Sequence, residues 1–304
     1  MRPQLRWSRI NYAVRTGFWL RKRFLLKNIS FTLKQGSVTG LVGPNGAGKT
    51  TTLKIGAGIL KPDNGQIFYR DKEPLRTDHL AGIGFLPELQ YYYPNATTRE
   101  WLLFMGSITG KSKPKIKDNM AHLSEQLQLT PLLNRQLHTL SKGQAQRVGI
   151  AQTLMHEPAM LLLDEPMSGL DPFWRYKVHQ LFREYHRNGG TILFSSHILA
   201  DVEELCDYIV LIQNGTVQWQ GATTELHHRI SKFQVICAND RIGQLQTWAI
   251  NSEFETLPSG DIAFFIQPEH KTPFLRFTLD QKVELRSIRP HFQEIGKILF
   301  DIQK

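Results

Sequence analysis

Short apolar runs alternate with helix-like stretches from about residue 28 to residue 221 of this 304-residue chain. Val38-Thr-Gly-Leu-Val42, Met160–Leu163 and Thr191–Ser195 read as buried strands, because each is a brief run of consecutive apolar or β-branched positions. Thr50 to Ile59 reads as a helix, stopped by Lys61-Pro62-Asp63-Asn64-Gly65. This alternation predicts a mainly parallel sheet covered by helices, an α/β fold. Residues 98–157 depart from it, with long helical stretches between Lys-rich loops, and predict a helical subdomain spanning about 90–157. Asn214-Gly215, between two strand-like runs, predicts a tight hairpin.

The pattern changes again after about residue 225. Phe233–Cys237, Ala263–Ile266 and Val283–Ile288 read as strands, with helical stretches near 241–249, 272–279 and 291–303. The expected organisation is therefore a first domain over 1–225 and a small C-terminal α+β module over 226–304.

Composition narrows the function classes. With 41% hydrophobic and 21% charged residues the chain is ordinary globular material. Its apolar runs are far shorter than the ~20 residues of a membrane-spanning helix. The basic start has no apolar stretch behind it, so no secretory signal is expected. Cys206 and Cys237 are too few for a disulfide framework. The net charge of +10 is concentrated: residues 1–27 hold eight Lys and Arg and no acid, leaving 29 bases against 27 acids elsewhere. The basic segment reads as solvated surface or as a segment drawn to an anionic membrane face. No continuous basic track for nucleic acid is evident.

Gly43-Pro44-Asn45-Gly46-Ala47-Gly48-Lys49-Thr50, followed by Thr51, matches G-x-x-x-x-G-K-[ST] between a predicted strand and a predicted helix. Glycines let the backbone curl so that successive N–H groups point inward, and the helix N-terminus adds its dipole, which makes an anion site. Lys49 can reach the β- and γ-phosphates, and the Thr50 hydroxyl can join the shell of a Mg²⁺ ion. The strand Met160–Leu163 ends in Asp164 and Glu165. Asp164 is placed to hold Mg²⁺, and Glu165 to orient or deprotonate an attacking water. The strand Thr191–Ser195 leads to His197 at the edge where α/β sheets gather ligands. There it can donate to a γ-phosphate or hold the water.

Together these residues resemble the ATP-binding cassette (ABC) ATPase family. Leu140-Ser141-Lys142-Gly143-Gln144, 20 residues before the Met160 strand, is similar to the family signature, and Ser168-Gly169-Leu170-Asp171 to its D-loop. The resemblance covers roughly residues 8–225. It implies a P-loop NTPase of ABC type, with an inserted helical subdomain, that binds ATP and Mg²⁺ and hydrolyses ATP. Ser141, Gly143, Gln144 and Asp171 would close over the ATP of a second ATPase subunit, identical or different, in a head-to-tail dimer. Phe18 or Trp19 would stack on adenine, Phe18 being slightly favoured. Two positions depart from the family pattern. Lys142 stands where the signature has Gly, and the Q-loop position falls in Gly84-Phe-Leu-Pro-Glu88. Glu88 could still coordinate Mg²⁺ or water; Gln90 lies nearby.

The phosphate loop, the Leu-Pro-Glu segment and the C-terminal module are similar to the bacterial exporter branch. That implies an ATPase subunit at the cytoplasmic face of the inner (plasma) membrane, peripheral to it and driving a separate integral-membrane permease. Tyr91-Tyr92-Tyr93 suits the cleft that receives a cytoplasmic helix of such a permease, the alternative being that the tyrosines pack the subdomain onto the sheet. The rival reading is a soluble ABC ATPase acting on nucleic acid or ribosomes. One phosphate loop, no long heptad run and no paired CxxC argue against it, and no nucleic acid is expected. A regulatory subunit that binds without hydrolysing is a further rival, opposed by the intact Asp164, Glu165 and His197.

Overall fold

A computed structural model describes residues 3–16, 21–70, 73–88, 93–108, 110–227, 230–238, 242–281 and 283–292. The chain divides into two compact units, Met1–Ala222 and Thr223–Lys304.

The first unit contains two sheets. Strands β1 (Pro3–Thr16), β2 (Arg21–Lys34), β4 (Asn64–Tyr69) and β5 (Glu73–Pro74) form an antiparallel sheet in the order β2-β1-β4-β5. Strands β3 (Val38–Val42), β6 (Ile83–Leu86), β7 (Met160–Leu163), β8 (Thr191–Ser196), β9 (Tyr208–Gln213) and β10 (Thr216–Ala222) form the other, in the order β10-β9-β3-β8-β7-β6. Every neighbouring pair in the second sheet is parallel except β9–β10, which closes at Asn214-Gly215 as expected. Both turn residues have positive φ, 49° and 75°, which suits a tight hairpin. β3, β7 and β8 are buried at every position, which is why they read as continuous apolar runs.

The antiparallel sheet adds what the reading of the basic segment lacked, since the segment lies in paired strands with an apolar inner side. Leu5, Trp7, Ile10, Leu26, Ile29, Phe31 and Leu33 are buried in the main core, between bases that face outward, such as Arg9 and Lys27. Positive φ at Arg9 (50°) and Asn28 (53°) accompanies register shifts between Trp7, Ile10 and Tyr12. Those bulges break the strict two-residue period and hid the strands behind the charge. Trp7 stacks on Phe31 at 4.2 Å and donates its indole N–H to Thr52 O at 3.1 Å. The sheet is thereby seated on α1 (Lys49–Gly56), the helix that follows the phosphate loop.

The helical stretch holds α2 (Thr98–Ser107), α3 (Lys113–Gln126) and α4 (Lys142–Leu154). Thr97 opens α2 with a capping box to Glu100. Arg147 of α4 donates to Leu127 O at 2.8 Å, just past α3. Its guanidinium also lies 3.9 Å from the ring of Trp174, in α5 (Pro172–Arg187). Burial holds that guanidinium below its ordinary range, with Asp171 opposing. α6 (Leu199–Leu205) completes the unit.

The second unit contains α7 (Thr223–His227), β11 (Ile230–Cys237), α8 (Ile242–Leu245), β12 (Glu255–Thr256), β13 (Ile262–Ile266), α9 (Lys271–Asp280) and β14 (Leu285–Phe292). Its antiparallel sheet runs β12-β13-β11-β14 over a core that includes Phe233, Val235, Leu245, Phe264 and Phe274. Residues 291–292, where a last helix was expected to begin, belong to β14; the rest of that expected helix lies outside the described residues.

Candidate functional site

Adjacent parallel strands deliver the candidate residues to one edge of the sheet. β3 runs into Gly43, β7 into Asp164-Glu165, β8 into His197, and β6 ends two residues before Glu88. In-register pairing of Leu86 with Leu163, Leu163 with Phe194, and Val42 with Ser196 aligns these carboxyl ends. Open parallel sheets take their ligands at this edge. A cleft of about 370 Å³ lies there, lined by Leu25, Asn45, Gly46, Ala47, Gly48, Lys49, Thr50, Thr51, Glu88, Asp164, Glu165, Ser168 and His197.

The loop before α1 is shaped by backbone need. A side chain at Gly43 would meet Ile212 O at 2.1 Å, and Gly48 has φ 106°. Gly48 caps α1 without a side-chain hydrogen bond, so the helix start is a donor-rich end suited to an anion. Lys49 is buried, and its Nζ donates to Gly43 O at 2.8 Å and Pro44 O at 3.3 Å. Gly43 and Pro44 thus hold the lysine from behind and do not themselves line the cleft.

Lys49 and His197 converge on Glu165. Lys49 Nζ is 3.7 Å from Glu165 Oε1, and His197 Nδ1 is 2.9 Å from Glu165 Oε2. An ionised carboxylate can only accept, so Nδ1 carries the hydrogen and Nε2 remains for a bound group. Glu165 is largely enclosed, whereas the His197 side chain is 53% exposed. Beside them, Ser195 Oγ donates to Asp164 Oδ1 at 2.7 Å and accepts from Glu165 N at 2.8 Å. Asp164 is fully buried, and its Oδ2 has no hydrogen-bond partner. An orphaned buried carboxylate oxygen is costly unless a cation or donor joins it. Asp164, Thr50 and Glu88 line the same cleft, and their oxygens are of the kind that would hold Mg²⁺.

The other candidates lie elsewhere. Ser141, Gly143, Gln144 and Asp171 do not line the cleft. Ser141 caps α4 in a reciprocal capping box with Gln144. Asp171 caps α5, accepting from Trp174 N at 2.9 Å. The aliphatic stem of Lys142 lies against Gly169, within the Ser168–Asp171 loop. Phe18, Trp19, Gln90, Tyr91 and Tyr92 lie outside the described residues. Tyr93 is 68% exposed and tilted against Trp101 at 5.9 Å. The sequence reading missed Leu25, because the segment carrying it was read for its charge alone. It also passed over Ser195, although that residue stands two before His197 in the quoted run.

Fold and cleft together define a P-loop nucleotide-binding cassette. The sequence profile described as "ABC transporter" matches residues 26–168. The linearmycin resistance ATP-binding protein LnrL of Bacillus subtilis is 34% identical over 77% of this chain and 73% of its own length. An uncharacterised ABC transporter ATP-binding protein of Synechocystis sp. is 37% identical over 75% of this chain, which spans 65% of that relative's length. A solved structure described as the ATP-binding subunit of an ABC transporter superposes with a TM-score of 0.65 at 27% identity, over 74% of this chain and 92% of that one. The chain belongs to the ABC transporter ATP-binding protein family.

Proposed function

We propose that this chain binds MgATP in the cleft and hydrolyses it to drive a separate integral-membrane permease, in the direction of export. The observation that carries the proposal is the convergence on Glu165 of Lys49 at 3.7 Å and His197 at 2.9 Å, beside the unpartnered Asp164 oxygen. The N–H groups of Gly46 and Gly48 and the N-terminus of α1 cradle the phosphates, and Lys49, held from behind by the loop carbonyls, donates to the β- and γ-oxygens. Asp164, Thr50 and Glu88 would hold Mg²⁺, which when bound neutralises charge on the phosphates. Glu165 accepts a proton from a water. That water's oxygen bonds to the γ-phosphorus, the bond to the β–γ bridging oxygen breaks, and ADP and phosphate leave. His197 fixes the Glu165 carboxylate through Nδ1–H, and its Nε2, left as an acceptor, helps to hold the attacking water.

The helix start at Ser141, with Gly143 and Gln144, lies away from this chain's own cleft. That supports a head-to-tail dimer in which a second subunit's α4 and Asp171 loop close each nucleotide site. Closure then depends on contacts that hydrolysis removes, so the dimer opens and closes with turnover. We assign the ATPase domain to residues 1–225, with its helical subdomain at about 90–157, and an accessory module to 226–304; the division of the structure after Ala222 supports this. The resistance function in the name of LnrL supports export. No helix among the described residues is long and apolar enough to cross a membrane, which suits a peripheral subunit at the cytoplasmic face.

The test is affinity purification of the tagged chain from detergent-solubilised membranes of its own host, identification of what co-elutes, and ATP-driven transport in vesicles. Co-elution with a hydrophobic subunit and substrate accumulation in inverted vesicles support the proposal. Co-elution with RNA or DNA and no membrane subunit would overturn it.

A further inference from the structure

Glu165 has φ 48°, the left-handed region that a non-glycine residue enters only under constraint. Three groups impose it. Ser195 Oγ accepts from Glu165 N at 2.8 Å, Ser168 N donates to Glu165 O at 3.0 Å, and the side-chain amide of Gln146 donates to Glu165 O at 3.3 Å and to Pro166 O at 2.9 Å. The first comes from β8 and the second from the same loop. Only Gln146 comes from α4, where it is the fifth residue after the Ser141 cap. It is 5% exposed, so its amide is shielded from competing water.

We infer that Gln146 is a positioning residue for Glu165, holding the backbone that aims the carboxylate and tying that aim to the position of α4. The inference rests on the ATPase reading above and deepens it. α4 is a continuous helix, so a force on its capped end moves the Gln146 amide with it. A second subunit's nucleotide seated at Ser141 would therefore act on this chain's own Glu165 through the Gln146 side chain. Each site would then be readied by the nucleotide of the other. The side chain does not line the cleft, so its loss acts on turnover and not on nucleotide affinity.

The experiment uses the full chain with MgATP. Gln146→Met keeps the volume and removes both donors; Gln146→Asn keeps the amide but falls one methylene short. The expected result is a kcat at least tenfold lower for Gln146→Met with KM for ATP within twofold, and an intermediate loss for Gln146→Asn. Combined with Glu165→Gln, neither change should lower the residual rate further, because the group being positioned is gone. Multiplying losses in the double variants, or an unchanged kcat in a folded single variant, would overturn the inference. If Gln146→Met does not fold, Gln146→Asn decides by the same cycle. Amide hydrogen exchange without nucleotide reads the tie apart from activity. Residues 164–168 should exchange at least tenfold faster in the variant while α1 is unchanged, and equal protection would reject the tie. A wild-type chain that neither binds nor hydrolyses MgATP defeats the ATPase reading, and the exchange result still decides the role of Gln146.

Discussion

His197 Nδ1 and Glu165 Oε2 stand 2.9 Å apart although 32 positions separate them in the chain. The hydrogen bond gives the carboxylate one orientation and the imidazole one tautomer. General-base catalysis of this kind contributes about 10²–10⁴-fold. Glu165→Gln is expected to lose that much ATP turnover while still binding MgATP, and to accumulate a closed dimer during size-exclusion chromatography with ATP. His197→Ala should fall in the same range. Unchanged steady-state phosphate release in Glu165→Gln would contradict the assignment.

Lys49 is held at the back of its own loop by two carbonyls, so it is preplaced for phosphate oxygens. A hydrogen bond to a charged group contributes about 1.5–3 kcal/mol. Lys49→Ala should weaken ATP binding by about 10- to 100-fold in titration calorimetry on the folded variant. Wild-type affinity would remove the lysine from the site.

Gly43 leaves no room for a methyl group, since the obstacle at 2.1 Å is the backbone oxygen of Ile212 in β9. Gly43→Ala should push β3 and β9 apart and cost about 1–3 kcal/mol in urea unfolding, the range for overpacking. A loss below that range would mean that the loop yields instead.

Asp201 of α6 is buried, with Arg175 Nη2 at 2.9 Å from one oxygen and His179 Nε2 at 3.3 Å from the other. Both partners come from α5, so the pair of contacts pins the helix that follows His197. Removing one partner of a buried pair costs about 3–5 kcal/mol, and Asp201→Ala is expected at the low end because Arg175 is 30% exposed. Chemical denaturation measures it, and an effect under about 1 kcal/mol would show that the contact is screened.

Burial lowers the affinity of His156 for a proton, outweighing its contact with Ile83 O, and Lys111 adds to the effect. The unfolded chain therefore binds the proton more readily than the folded one. Stability is fully present above the unfolded value of 6.5 and is lost as the pH falls through the folded value. Melting temperatures between pH 7.5 and 5.5 should drop more steeply for the wild type than for His156→Gln. Parallel curves would show that other groups carry the acid sensitivity.

Much of this molecule is determined locally, and its sequence says so. The loop from Gly43 to Thr50 needs particular residue types at fixed spacing, because backbone curl, helix start and lysine reach are short-range geometry. β3, β7 and β8 announce themselves as apolar runs because parallel strands are covered on both faces. Asn214-Gly215 names its hairpin because both turn residues take positive φ. The antiparallel sheet was not legible, since bulges at Arg9 and Asn28 broke its period and its outward bases dominated the count. Nor was the tie from Gln146 to Glu165, or the partnership of Asp164 with Ser195. Those pairs lie 19 and 31 positions apart. Only the packing of α4 against the loop after β7, and the parallel register of β7 with β8, bring them within hydrogen-bond reach, which no spacing rule along the chain encodes.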